Sequence, residues 1–196
     1  VLTVAVSENG RVAVTGAADA VARVWDAATG ELVQELRAHQ YSVMVVALSW
    51  DGAVALTGSV DGSARVWRAE RPIGIPTPSR PRFREVVAHH HGFAVWTGSM
   101  SRSGDAIATG SPDLTARVWR LRDAPSPESG KPAALLSLAF PFSVTAVSLS
   151  RDAAFLVTAG GDGGRIAVWR PHAAMENALL GVMATSRSWR RFFSQS

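Results

Sequence analysis

A hydroxyl, an imidazole and a carboxylate recur together along this chain, and those are the groups a hydrolase uses as nucleophile, base and orienting acid. His39, Thr57 and Asp61 form one such set, and His91, Thr109 and Asp113 form another. The recurrence argues against catalysis, because a reaction needs one constellation in one cleft. Each set is also followed by a tryptophan, Trp67 or Trp119. Four such side chains repeated in order suit a buried network of donors and acceptors that fixes a turn. The chain is therefore expected not to be an enzyme.

His89, His90 and His91 stand in a row and invite a metal. Adjacent residues of an extended segment point to opposite sides, so only His89 and His91 could converge. His91 already belongs to the recurring set, and no acidic cluster nearby completes a coordination shell. No metal site and no cofactor is expected. The run from Gly160 to Gly164 resembles a phosphate cradle only superficially, since it lacks the following Lys and the strand-to-helix context. A tight turn between strands accounts for it.

The charge is modest: 20 basic against 16 acidic residues give a net +4, and 19 of the bases are Arg. Arg23, Arg65 and Arg117 each lie two residues before a Trp and read as solvated or sheet-packing side chains. Two denser clusters offer a phosphate-directed alternative, toward RNA or an anionic membrane surface. They are Arg80, Arg82 and Arg84, and Arg187, Arg190 and Arg191 beside Trp189, Phe192 and Phe193. Cysteine is absent, which excludes disulfides and thiolate chemistry and permits a reducing compartment. The stretch after Val1 has neither the charge nor the cleavage site of a signal peptide. Pro132 to Ser150 carries no charge and is long enough to span a membrane. Pro141 and four serines divide it into two apolar runs, Ala133 to Leu138 and Val144 to Leu149, which suit two short strands better than one helix. No transmembrane segment is expected, and the location read from these features is intracellular, cytoplasmic or nuclear.

The elements that must position these groups follow from a repeat. Four segments end at Trp25, Trp67, Trp119 and Trp169, and each runs in one order: Ser before a turn, Thr before a small residue, Asp, then Trp. The serines are Ser7, Ser49, Ser101 and Ser150, the threonines Thr15, Thr57, Thr109 and Thr158, and the acids Asp19, Asp61, Asp113 and Asp162. The Trp-to-Trp spacings of 42, 52 and 50 differ mainly through residues 69 to 82 and 121 to 132, which hold seven of the ten prolines. Both read as Pro-rich surface insertions at one equivalent position. Apolar alternation over five to seven residues between Gly, Asp and Asn signals predicts strands, about 1 to 7, 11 to 16, 21 to 26 and 31 to 37 in the first unit. The links are too short for helical crossovers, so the pairing is antiparallel.

These units resemble the WD40 repeat family, in which each unit forms one four-stranded blade of a β-propeller. The closing dipeptide survives as Trp25-Asp26, whereas Trp67, Trp119 and Trp169 are followed by Arg. The family's Gly-His pair stands as Ala38-His39 and His90-His91 and becomes Ala139-Phe140 before the fourth unit. The resemblance implies an all-β fold of four blades, about 1 to 37, 43 to 88, 95 to 138 and 144 to 184, with a basic aromatic tail at 186 to 196. Four is the minimum for a ring, so an incomplete or open propeller with association-prone ends is expected.

By position, the resemblance assigns a structural tetrad to His39, Thr57, Asp61 and Trp67, and another to His91, Thr109, Asp113 and Trp119. The first unit shows no His and the fourth has Phe140 instead, so those two blades are expected to be looser. Function follows as a non-catalytic scaffold for protein or peptide partners. Tyr41, Phe93 and Phe142 lie two residues beyond each His position, in loops expected to share a face with Asp61 and Asp113. An exposed aromatic ring of that kind is a partner anchor, and packing against a blade edge is the alternative.

Overall fold

The computed structural model describes residues 1–70, 82–121, 136–161, 165–171 and 179–183. Among the described residues there are sixteen strands in four antiparallel sheets, each built from four strands consecutive in sequence. The first sheet is β1 (Thr3–Val6), β2 (Val12–Gly16), β3 (Ala22–Asp26) and β4 (Leu32–Leu36). The second is β5 (Val43–Leu48), β6 (Val54–Ser59), β7 (Ser63–Ala69) and β8 (Phe83–His90). The third is β9 (Thr97–Met100), β10 (Ala106–Gly110), β11 (Thr115–Arg120) and β12 (Leu136–Ala139). The fourth is β13 (Val144–Leu149), β14 (Leu156–Gly160), β15 (Arg165–Trp169) and β16 (Leu179–Met183). The uncharged stretch thus contributes two strands, β12 and β13, and no described helix is long and apolar enough to cross a membrane.

The hydrophobic cores lie between sheets, which explains why both faces of the middle strands are apolar. One cluster joins Val12, Val14, Val24 and Leu36 of the first blade to Val46 and Trp67 of the second. A second joins Leu56 and Val66 to Ile107 and Trp119 of the third. A third joins Ala108, Val118 and Leu138 to Val147, Leu156 and Trp169 of the fourth. Trp67, Trp119 and Trp169 therefore each cap the interface with the preceding blade, while Trp25 of the first blade is only half-buried. β1, β5, β9 and β13 pack successively against one another along the array, and among the described residues no packing of β13 on β1 closes it into a ring.

Backbone hydrogen bonds link the blades at both ends. Val43, Val95 and Val144 donate their N–H to Ala17, Ser59 and Ser111 of the preceding blade. At the opposite end Asn9 donates to Trp50, Trp50 to Arg102 and Arg102 to Arg151, so the first turns of all four blades are chained together. The serine that opens each turn accepts from the amide five residues on: Ser7 from Val12, Ser49 from Val54, Ser101 from Ala106 and Ser150 from Phe155. Satisfying that amide lets a buried strand begin directly after a turn.

Only the first blade keeps Asp after its Trp, and there the β3–β4 link is tight. Asp26 Oδ1 accepts from the N–H of Ala28 and Thr29 and closes that turn. In the second blade Arg68 occupies the same register position, and strands β7 and β8 meet instead at Glu70 and Arg82, whose backbone groups pair at 2.9 Å. Residues 71–81 and 122–132 of the two insertions lie outside the described residues. The strand ends that flank them sit beside Ala53 and Asp105, at the end of the sheets opposite Asp61 and Asp113.

Candidate functional site: the loop face and its tetrads

In the second blade the four recurring side chains form one hydrogen-bonded line. Trp67 Nε1–H donates to Thr57 Oγ1 at 3.0 Å, Thr57 Oγ1 meets His39 Nε2 at 2.7 Å, and His39 Nδ1 meets Asp61 Oδ2 at 3.1 Å. The third blade repeats the His, Thr and Asp part of it, with Thr109 Oγ1 to His91 Nε2 at 2.8 Å and His91 Nδ1 to Asp113 Oδ2 at 3.0 Å, while Trp119 meets His91 through its ring, edge-on at 5.8 Å between centroids. Thr57 and Thr109 are fully buried and His39 and His91 nearly so. A nucleophile would need an approach for substrate, and these hydroxyls have none.

Protonation follows from burial. Burial pushes the His39 and His91 imidazoles below their ordinary value and outweighs the opposing pull of Asp61 and Asp113. At neutral pH each pair is thus a hydrogen bond from a neutral imidazole to a carboxylate rather than an ion pair. Burial alone would raise Asp61. The Ser63 hydroxyl and the backbone N–H of Gln40 and Ser63 overcome it and hold the carboxyl at about 2.

Those donors identify a fifth member of the network. Ser63 Oγ–H donates to Asp61 Oδ1 at 2.6 Å and lies 2.9 Å from His39 Nδ1, and Thr115 does the same for Asp113 and His91. The signal stood in the sequence as Asp, any residue, then Ser or Thr, in these two blades only. In the first blade Asp19 lacks both a His and this hydroxyl, and its carboxylate binds Arg23 Nη2 at 2.8 Å. Trp25 still donates to Thr15, and Trp169 to Thr158. In the fourth blade Phe140 fills the His site, buried edge-on to the Trp169 ring. Asp162 lies outside the described residues.

The three histidines separate as expected for a strand: His89 and His91 are buried and His90 is exposed. His89 stacks on Trp119 with ring centroids 4.2 Å apart, and burial among other imidazoles lowers it to about 4. Among the described residues no group of acidic or imidazole side chains is arranged to hold a metal. The three periodic arginines are paired, Arg23 to Asp19 and Glu35, Arg65 to Glu85, and Arg117 to Asp113 and, across to the second sheet, the His90 carbonyl. Arg82 and Arg84 are exposed, while Arg80, Arg187, Arg190 and Arg191 lie outside the described residues.

The loops entering each blade and the Asp-bearing turns form one face. Gln40 N–H binds Asp61 and Gly92 N–H binds Asp113, which ties each loop to its turn. Tyr41 and Phe93 are free on this face, 62% and 63% exposed. Phe142 differs: it is half-buried, 5.5 Å from Phe140 and beneath the Arg165 guanidinium. The loss of the imidazole explains this, since a phenyl ring in its place gives Phe142 an apolar surface to settle on. Asp61 and Asp113 have their oxygens engaged by donors of their own blades and project charge rather than a free contact atom.

Sequence reasoning missed several exposed apolar residues here. Val60 and Leu114 sit on the two Asp-bearing turns, and Met44 and Trp96 stand at the start of the inner strands. Met44 is the extra residue of a bulge between Val43 and Val45. Leu114 has φ 68°, where the second blade has Gly62 at φ 81°. A leucine in that left-handed position costs about 1–2 kcal/mol, so its retention is a readable anomaly.

A β-blade repeat array with this geometry defines a class of protein, the propeller-type scaffold. The particular family is shown by comparison: the family model described as "WD domain, G-beta repeat" matches residues 1–26, 30–68, 83–120 and 135–170, more than half of the chain. The chain belongs to the WD40-repeat family, whose members are generally non-catalytic scaffolds that bind protein partners. A search of the curated proteins finds no match.

Proposed function

We propose that this chain is a non-catalytic scaffold that binds a protein or peptide through the loop face of its second and third blades. The observation that carries this reading is the pair of exposed rings, Tyr41 and Phe93, held over turns that are themselves rigidly fixed by buried tetrads. A rigid aromatic anchor loses little entropy on binding. Val60, Leu114, Met44 and Trp96 enlarge the apolar surface around them, and Phe142 borders it. The carboxylate of Asp61, paired with a neutral imidazole, leaves negative charge beneath the face and favours a partner with a basic residue beside its apolar anchor, whereas the charge of Asp113 is offset by Arg117 Nη2 at 3.7 Å.

The test is a peptide library displayed on phage and panned against the immobilised chain. Selected sequences should combine an apolar or aromatic residue with Lys or Arg. Their affinity for a variant carrying Tyr41→Ser and Phe93→Ser should fall by at least tenfold while its melting temperature is unchanged, and Phe142→Ser should add less. Unchanged affinity in the folded double variant would remove the site from this face. A steep loss of binding with added salt, unaffected by the double variant, would transfer it to the arginine clusters.

A further inference from the structure

The turn joining the first two strands of each blade follows one plan, and the third blade leaves it unfinished. In the first, second and fourth blades the residue two after the serine is Asn9, Asp51 or Asp152. Its Oδ1 accepts the serine O–H at 2.7, 2.7 and 2.6 Å, and the N–H of Arg11, Ala53 or Ala154 at 3.0 Å. The third blade has Ser103 there. Its shorter side chain accepts only the Asp105 N–H, at 3.4 Å. Ser101 is 2% exposed and accepts from Ala106, but among the described residues its own O–H has no acceptor. A buried donor left in this way costs free energy that a bound acceptor recovers.

Ser101 and Ser103 line a cavity of about 250 Å³ between the third and fourth blades. Its charged lining is two guanidinium groups, Arg120 and Arg151, and two carboxylates, Asp105 and Asp152, so charge alone selects no ion inside it. The rim does. The residues that directly follow the four serines are Glu8, Trp50, Arg102 and Arg151. Glu8 reaches Arg102 Nε at 3.3 Å and Arg151 Nη2 at 3.1 Å, so two cations from two blades share one carboxylate. Both guanidinium side chains are more than half exposed, and each gives Glu8 one nitrogen of a fork that can serve a second acceptor. Arg102 also lies over the ring of Trp50, which is 45% exposed.

We infer that this turn face binds an acidic segment of a partner protein, one of whose carboxylate side chains enters the third turn and supplies the acceptor that Asn9, Asp51 and Asp152 supply in the other blades. The Ser101 O–H and the Asp105 N–H hold one carboxylate oxygen, and Arg151, which belongs to both cavity and rim, takes the other. Trp50 offers an apolar face to the neighbouring residue of the segment. Glu8 is then an internal competitor for Arg102 and Arg151. The site stands at the end of the sheets opposite Tyr41 and Phe93, so it is separate from the loop face and does not depend on what binds there.

The probe is a blocked octapeptide in which Asp alternates with Leu, titrated into the isotopically labelled chain and followed by NMR. The amides of Gly104 and Asp105 and the Trp50 indole N–H should shift and saturate, and the same peptide with Asn for Asp should bind far more weakly. Ser103→Asp supplies the missing acceptor from within, so it should raise the melting temperature and weaken the peptide by about tenfold. Glu8→Gln releases both guanidinium groups and should tighten it. The Tyr41→Ser, Phe93→Ser variant should bind this peptide as the wild type does. Unmoved Gly104 and Asp105 signals at millimolar peptide would overturn the inference, as would a folded Ser103→Asp variant that binds unchanged. Equal binding of the Asn peptide would remove the carboxylate from the account, and inorganic phosphate that binds as tightly as the peptide would assign the site to phosphate groups instead.

Discussion

The second and third blades carry the hydrogen-bonded His, Thr and Asp set, and the first and fourth lack its imidazole, yet all four adopt the same four-stranded sheet. Apolar alternation and the serine-capped turns therefore suffice to form a blade. What His, Thr, Asp and the fifth hydroxyl add is a fixed spatial relation between a loop and the neighbouring turn. Where they are present, the loop aromatics Tyr41 and Phe93 are held out into solvent. Where Phe140 replaces the imidazole, its neighbour Phe142 turns in and packs. The tetrad is read here as the device that keeps a binding face presented.

The largest expected contrast is at the tryptophans. Trp119→Ala opens a cavity at a filled interface and should cost about 3–5 kcal/mol, while Trp25→Ala, on the open front of the first blade, should cost less than half as much. Chemical denaturation of the two variants measures it, and equal losses would break the distinction between filled and open interfaces.

Acid should act through the histidine-bearing blades. The unfolded chain takes up a proton near an imidazole pKa of about 6.5, whereas folded His89 resists it down to about 4. Stability is therefore full above about 6.5 and falls as pH drops through that window, by on the order of 3 kcal/mol for His89. His39 and His91 act in the same direction. Asp61, unfolded value 3.8 and folded about 2, extends the loss below pH 4. Denaturant midpoints measured from pH 7 to 4 should fall steadily, and the His89→Phe variant should show a shallower fall.

A smaller contrast compares the acids. Asp61→Ala strands the donors of the buried His39 and Ser63 and frees the Gln40 N–H, and should lower stability by roughly 1–3 kcal/mol. Asp19→Ala removes a solvent-screened pair with Arg23 and one hydrogen bond from the Val21 N–H, and should lower stability by less than Asp61→Ala does. Similar losses at both sites would mean that the tetrad adds nothing beyond an exposed acid.

Much of this architecture was legible before any coordinates, because period-two patterning and in-phase turn residues are local signals. The expected strands of the first unit, 1 to 7, 11 to 16, 21 to 26 and 31 to 37, contain the observed ones. The last strand of the expected fourth blade, 144 to 184, is found as β16 at Leu179–Met183. What remained hidden depends on register and contact across blades. Glu35 stands directly opposite Arg23 only once β3 and β4 are paired. Met44 reaches the surface because of a bulge, and Phe142 is half-buried because of what Phe140 displaces. Leu114 is different, since its place after Asp113, where Gly62 follows Asp61, marked it in the sequence. Leu114→Gly should raise stability by about 1 kcal/mol and weaken partner binding, as expected of strain kept for function.

The central claim, that the recurring imidazole, hydroxyl and carboxylate sets are buried clamps rather than catalytic groups, is tested most directly by titrating the histidine side chains by NMR. The account predicts that His39 and His91 stay neutral below their ordinary value, that His89 titrates at about 4, and that their protonation coincides with loss of the folded signals. Reversible titration of His39 or His91 at or above 6.5 in a protein that stays folded would contradict it.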